Sequence, residues 1–221
     1  NDVALIFDST NYIVDTTSDT INPSDGLTSL REAILAANAD VAADTISFSI
    51  PGAGPHRISL TTALPEITES VTIAGYTDPE ARRNQLAVGD NAIIEWEIDG
   101  SGLAVGRPLD IVADDVTVRG LSIINSPQEI AIRVAGQGTV IEGNFIGLAA
   151  DGTTPDFNLG GVLIESGASH TRIGTDGNGV GDVGERNLIR SDSNSIFVAS
   201  SPTSTTTTFG TLIAGNYVGT D

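Results

Sequence analysis

Gly143-Asn144-Phe145-Ile146-Gly147 and Gly215-Asn216-Tyr217-Val218-Gly219 are two copies of one short unit. Each follows an apolar pair and one further residue, Val140-Ile141-Glu142 in the first and Leu212-Ile213-Ala214 in the second. A degenerate copy, Arg186-Asn187-Leu188-Ile189, stands between them. Earlier relatives are Val71-Thr72-Ile73-Ala74-Gly75 and Val116-Thr117-Val118-Arg119-Gly120, the latter followed by Leu121-Ser122-Ile123-Ile124. Short Val- and Ile-rich runs bounded by Gly and Asn read as strands and turns. Self-similarity at this spacing is the signature of a solenoid.

Sorted by this unit, the strands fall into three columns. The first holds residues 46–50, 93–98, 121–124, 144–147, 187–190 and 216–219. The second holds 57–60, 109–112, 130–134, 162–165 and 196–199. The third holds 71–74, 116–119, 139–142, 171–173 and 211–214. The shortest repeat runs from Gly120 to Gly143, and longer ones carry loops at 76–92, 149–159 and 174–185. The expectation is an all-β chain, a right-handed parallel β-helix of about five coils. Strands of successive coils would stack about 4.8 Å apart with Val and Ile turned inward. A β-sandwich also uses short strands and frequent turns, but it leaves the recurring unit unexplained.

One stretch reads as helix. Ser29-Leu30-Arg31-Glu32-Ala33-Ile34-Leu35-Ala36-Ala37-Asn38 has strong helix formers and an apolar face at Leu30, Ala33, Ile34 and Ala37. Ser29 with Glu32 forms a capping-box pattern, and Asn38 is a stop. An open coil end exposes strand edges and core, and this helix is placed to cover both. The whole chain, 1–221, is read as a single domain. Residues 1–44 supply an N-terminal strand and the capping helix, and 45–221 supply the coils.

Composition narrows the setting. The net charge is −19, with 29 acidic residues against 10 basic ones, and every basic residue is Arg. Such a chain repels nucleic acid and anionic membranes. It suits a salty or calcium-containing medium, where cations screen self-repulsion. There is no Cys, so neither disulfides nor thiolate metal sites are available. No segment approaches the roughly 18 apolar residues of a membrane span. The start at Asn1 fits an exported, processed product or a trimmed chain.

Residues 25–34, then Ala36-Ala37-Asn38 and Ala43-Asp44-Thr45-Ile46-Ser47-Phe48, resemble the N-terminal CSLREA module of secreted bacterial β-helix proteins in the pectin-lyase-like superfamily. Thr28 stands where that module has Cys. Further on, Asn144-Phe145-Ile146-Gly147 with Ala150-Asp151-Gly152-Thr153, Arg186-Asn187-Leu188-Ile189 and 216–221 are similar to repeats of the same surface proteins. The resemblance covers about residues 10–221. It implies an extracellular or cell-surface location and a helix that caps the first coil. It does not imply one activity, because the superfamily includes lyases, hydrolases, adhesins and proteins without known chemistry.

Three sets of side chains are candidates for more than packing. Glu95 and Glu97 flank Trp96, the only Trp, and would contact a sugar ring if the indole were exposed; the alternative is a core Trp. Arg190 and Asp192 lie on a later coil, so no convergent acid–base set is expected and no catalytic residue is assigned. The Gly-rich loop at 176–182 offers oxygen ligands from Asp176, Asn178 and Asp182, with Glu185 nearby. Ca²⁺ is the ion such hard ligands suit, and a solvated acidic turn is the alternative. Asn144, Asn187 and Asn216 occupy equivalent corners, where stacked side chains would form a structural ladder. His56 and His170 are isolated, and the Thr-rich run at 203–208 reads as an exposed loop.

These features lead to a non-enzymatic structural or adhesive module, with a polysaccharide lyase or hydrolase and a calcium-dependent carbohydrate-binding module as alternatives. The C-terminal residues 211–221 would leave an open coil end. Either further coils follow, or another subunit covers it, end to end in a fibre or through Val3-Ala4-Leu5-Ile6-Phe7 as an added strand.

Overall fold

The structure, a computed structural model, describes residues 8–199 and 208–219. The stretch Val3-Ala4-Leu5-Ile6-Phe7, most of the Thr-rich run and Thr220-Asp221 lie outside the described residues. Among the described residues strand dominates, with one α-helix, and every pairing between named strands is parallel.

Three sheets collect these strands. The first has the order β1 (Asn11–Val14), β2 (Asp44–Phe48), β4 (Val71–Ala74), β7 (Thr117–Arg119), β10 (Val140–Glu142), β13 (Arg172–Gly174) and β16 (Leu212–Ala214). The second runs β3 (His56–Ser59), β5 (Trp96–Asp99), β8 (Ser122–Ile124), β11 (Phe145–Ile146), β14 (Leu188–Ile189) and β17 (Tyr217–Val218). The third runs β6 (Leu109–Ile111), β9 (Ile130–Val134), β12 (Gly160–Ile164) and β15 (Ile196–Val198), extended by a bridge between Ile67 and Ile111. From β3 onward the chain visits the second, third and first sheets in that order, pass after pass. This order is consistent with a parallel β-helix.

Alternation along each strand decides what is buried. Ile46, Ile73, Val118, Ile141 and Ile173 pair in register across the first sheet, and each is fully buried. Ile58, Ile98, Ile123, Ile146 and Ile189 do the same in the second sheet. Ile67, Ile111, Val134 and Ile164 do so in the third. All belong to one core cluster. Burying each such side chain is worth about 1.5–3 kcal/mol, so these rows dominate the driving force for folding. At the corner between the first and second sheets Gly143 has φ +62°, and a Cβ there would come within 2.8 Å of the Gly184 carbonyl. The repeat unit therefore opens on Gly because the corner turns left-handed against a neighbouring backbone.

The column assignment needs one correction. Residues 44–48 pair with 71–74, in the third column of the sequence reading, and 56–59 pair with 96–99, in its first. The slip arises at Leu64-Pro65-Glu66-Ile67-Thr68. There the third sheet is touched by one bridge residue, Ile67, without a β-branched run to mark it.

The helix α1 spans Leu30–Ala37. Ser29 accepts from the Glu32 N–H, and the Glu32 carboxylate accepts from the Ser29 N–H at 2.9 Å, completing the capping box. Leu30, Ala33, Ile34 and Ala37 are buried in the core cluster against β1 and β2. Polar groups of the helix satisfy backbone beneath it. Arg31, 8% exposed, pairs with Asp19 and donates to the Thr62 and Ala63 carbonyls, each at 2.8 Å. Asn38 donates to Glu66 O at 2.7 Å and accepts from Thr68 N at 2.9 Å, on both sides of Ile67. No helix among the described residues is long and apolar enough to cross a membrane.

Candidate functional site

The outer face of the second sheet carries a cleft of about 440 Å³, lined by Arg57, Glu95, Glu97 and Asp151 with the apolar Pro55, Ile93 and Ile94 among its walls. Its position follows from strand alternation. Ile58 and Ile98 point inward, so Arg57, Glu97 and Asp99 point outward. Arg57 and Glu97 are register partners on β3 and β5, and Arg57 Nε donates to Glu97 Oε2 at 2.8 Å. The other Glu97 oxygen accepts from Ala150 N at 2.8 Å. Glu97 is thus buried but doubly bonded, as a buried carboxylate must be.

The same alternation turns Trp96 inward. It is fully buried, packed on Phe48 with ring centroids 4.7 Å apart and on His56 at 5.2 Å, and its Nε1 donates to Asp78 at 3.0 Å. The indole offers no face to a sugar; Glu95 and Glu97 line the cleft without it.

Two carboxyls in the cleft are driven apart in acidity. Burial raises the pKa of Glu95, and the charges of Asp78 and Glu80 raise it further. Asp151 is lowered to about 2 by the Thr154 hydroxyl and by the Thr154 and Thr153 N–H groups. Gly54 makes room for the Glu95 carboxyl: a Cβ there would overlap Glu95 Oε2. A neighbouring hollow of about 290 Å³ shares Asp151 and reaches Asp90 and Phe145.

The loop at 76–92 borders this face and runs along the stack. Tyr76 donates to Gly143 O at 2.7 Å, Asn84 to Val183 O at 2.9 Å, and Gly89 N to the Tyr217 hydroxyl at 2.9 Å. Ile94, Phe145, Leu148 and Leu188 form a second apolar cluster beneath it.

The loop at 176–182 brings the Asp176 and Asp182 carboxylates together with Glu185, their ligand atoms all within 4.8 Å of one another. Asn178 turns to the loop itself. Its Oδ1 accepts from Val180 N at 2.6 Å and its Nδ2 donates to Asp176 Oδ2 at 2.8 Å. Three carboxylates with flexible Gly between them match the oxygen chemistry of Ca²⁺.

The three corner asparagines form a chain of hydrogen bonds. Asn187 Nδ2 donates to Asn216 Oδ1 at 2.8 Å, and Asn144 Nδ2 to Asn187 Oδ1 at 3.1 Å. Each Nδ2 also donates to a carbonyl one pass earlier: Val118 for Asn144, Ile141 for Asn187 and Ile173 for Asn216. His170 stacks edge-on against Phe209 and joins no site among the described residues.

Arg57 and Asp151 were not among the residues expected at a site. Arg57 was hidden by the column slip, which placed it on a different sheet from Glu97. Asp151 reaches the cleft through a loop whose path periodicity does not encode. No protein-family model matches the chain, and the curated proteins compared with it give no match.

Proposed function

We propose that the chain is a right-handed parallel β-helix of about five coils that acts as a structural or adhesive module outside the cell. In this reading it is a bacterial surface protein of pectin-lyase-like type, with α1 as its CSLREA-type cap. The observation that supports the reading is the continuity of the three inward rows: Ile213, Val218 and Val198 pair with the buried Ile173, Ile189 and Ile164 and extend each row to the last described rung. Such in-register stacking is what a repeating structural module is built from. At the opposite end α1 and its Asn38 and Arg31 contacts occupy backbone carbonyls.

Retention of the purified chain on immobilised extracellular polysaccharides and on bacterial cell surfaces tests this reading. Retention without release of new chain ends is expected. No retention on any of these surfaces overturns the proposal.

A second reading is favoured by the cleft. Glu95, its pKa raised chiefly by burial, and Asp151, lowered to about 2 by Thr154 and Thr153, line it together, and two carboxyls of unequal acidity are what acid–base work on a glycosidic bond uses. Incubation with a panel of extracellular polysaccharides, scored by new chain ends and compared with Glu95→Gln, tests it. Absence of products with every polymer leaves the structural reading standing.

A further inference from the structure

Asn178-Gly179 is the one Asn-Gly pair in the sequence, and it sits on an exposed loop. Glycine leaves the following backbone nitrogen unshielded, so this is the pair most open to attack by its own main chain. The surrounding contacts supply a base, a donor that polarises the carbonyl and an acceptor at the leaving nitrogen. The nucleophile, Gly179 N, donates to both oxygens of Asp182 at 3.2 Å. The electrophile, the Asn178 side-chain carbonyl, accepts from Val180 N at 2.6 Å, which polarises it and stabilises negative charge developing on Oδ1. The leaving nitrogen, Asn178 Nδ2, lies 2.8 Å from Asp176 Oδ2.

We propose that Asn178 is a self-modification site, deamidated through a cyclic imide with Asp182 as the base. Asp182 takes the proton of Gly179 N as the bond from that nitrogen to Asn178 Cγ forms. The Cγ–Nδ2 bond then breaks. The proton passes through the carboxylate cluster, where Asp176 and Asp182 lie within 4.8 Å, and leaves with Nδ2 as ammonia. Water opens the imide at either of its carbonyls, giving Asp or an isoaspartyl linkage at 178. The product places a fourth carboxylate beside Asp176, Asp182 and Glu185.

The test uses the full chain aged at neutral pH, digested at Arg172, Arg186 and Arg190, and read by mass spectrometry of residues 173–186 and 191–221. Conversion at Asn178 is expected to outpace Asn194-Ser195 in the same molecule. It is also expected to outpace Asn178 in the chain unfolded by guanidinium chloride. Asp182→Ala should slow the native rate about tenfold, less than a buried catalytic base contributes because the loop is open to water. It should leave the unfolded rate unchanged, and Asp182→Glu should restore part of the loss. A native rate equal to or below the unfolded one, or no response to Asp182→Ala, overturns the proposal.

Discussion

Asn187 Oδ1 accepts two hydrogen bonds from Asn144, one from its backbone N–H at 3.0 Å and one from its side-chain amide at 3.1 Å. Asn187 is fully buried and also donates to Ile141 O at 2.9 Å. Removing its side chain takes the acceptor from the Asn144 N–H and a donor from both Ile141 O and Asn216 Oδ1, while Asn144 Nδ2 keeps the Val118 and Glu142 carbonyls. Each stranded group costs about 1–3 kcal/mol, with relaxation recovering part of it. Asn187→Ala is therefore expected to lower stability by about 3 kcal/mol in chemical denaturation. Asn216→Ala acts on a half-buried rung and should lower it by only about 1 kcal/mol. Equal losses at the two positions would mean that burial does not set the strength of the ladder.

The two faces of α1 should respond in opposite ways. Ile34 is 1% exposed within the core cluster, whereas Leu35, the next residue, is 42% exposed. Ile34→Asp places an unpaired charge in the core and is expected to cost at least about 4 kcal/mol. Leu35→Asp should stay within about 0.5 kcal/mol of the parent. Thermal melts of the two variants decide the matter. If Ile34→Asp melted like the parent, the helix would not be part of the core that the strands share.

What the sequence made legible was whatever repeats locally. The capping box, the apolar face of α1 and the Gly-Asn corner each depend on residues close in sequence, and each can be read from spacing. The first pass through the sheets escapes the column reading because Ile67, a single residue, stands for a whole strand there. One misplaced column then separated Arg57 from Glu97, which are register partners. The indole of Trp96 was open between core and surface, and only strand parity with Ile98 settles its direction. Asp151 and the 76–92 loop escaped because loop paths depend on contacts across several passes, such as Gly89 with Tyr217.

Glu95 should make the protein less stable as pH rises. Its folded-state pKa lies above the ordinary carboxylate value, chiefly because of burial and then because of Asp78 and Glu80. A carboxyl raised on folding favours the native state while both states are protonated. That advantage is lost as pH climbs from the unfolded pKa through the folded one. Glu95→Gln keeps an acceptor for the Gly54 N–H and removes the ionisation. The variant should match the parent in acid and exceed it in melting temperature at neutral pH. A parent more stable than Glu95→Gln at neutral pH would mean that the ionised carboxylate holds a partner in the cleft.

Calcium is expected to act at Asp176, Asp182 and Glu185. Their carboxylates crowd within 4.8 Å of one another, and like charges that close repel. Glu185 also lies 3.4 Å from Arg172, which offsets part of that repulsion. A divalent cation bound there would relieve the remainder and stabilise the native state by mass action. Free calcium at 100 times its dissociation constant would add about 2.7 kcal/mol. Titration of Ca²⁺ into the chelated protein should then raise the melting temperature, and Asp176→Asn with Asp182→Asn should abolish the rise. Magnesium should act more weakly, because it demands a stricter octahedral shell than an exposed Gly-rich loop provides. A parent that ignores calcium, together with a double variant more stable than the parent, would identify the cluster as a repulsive acidic turn.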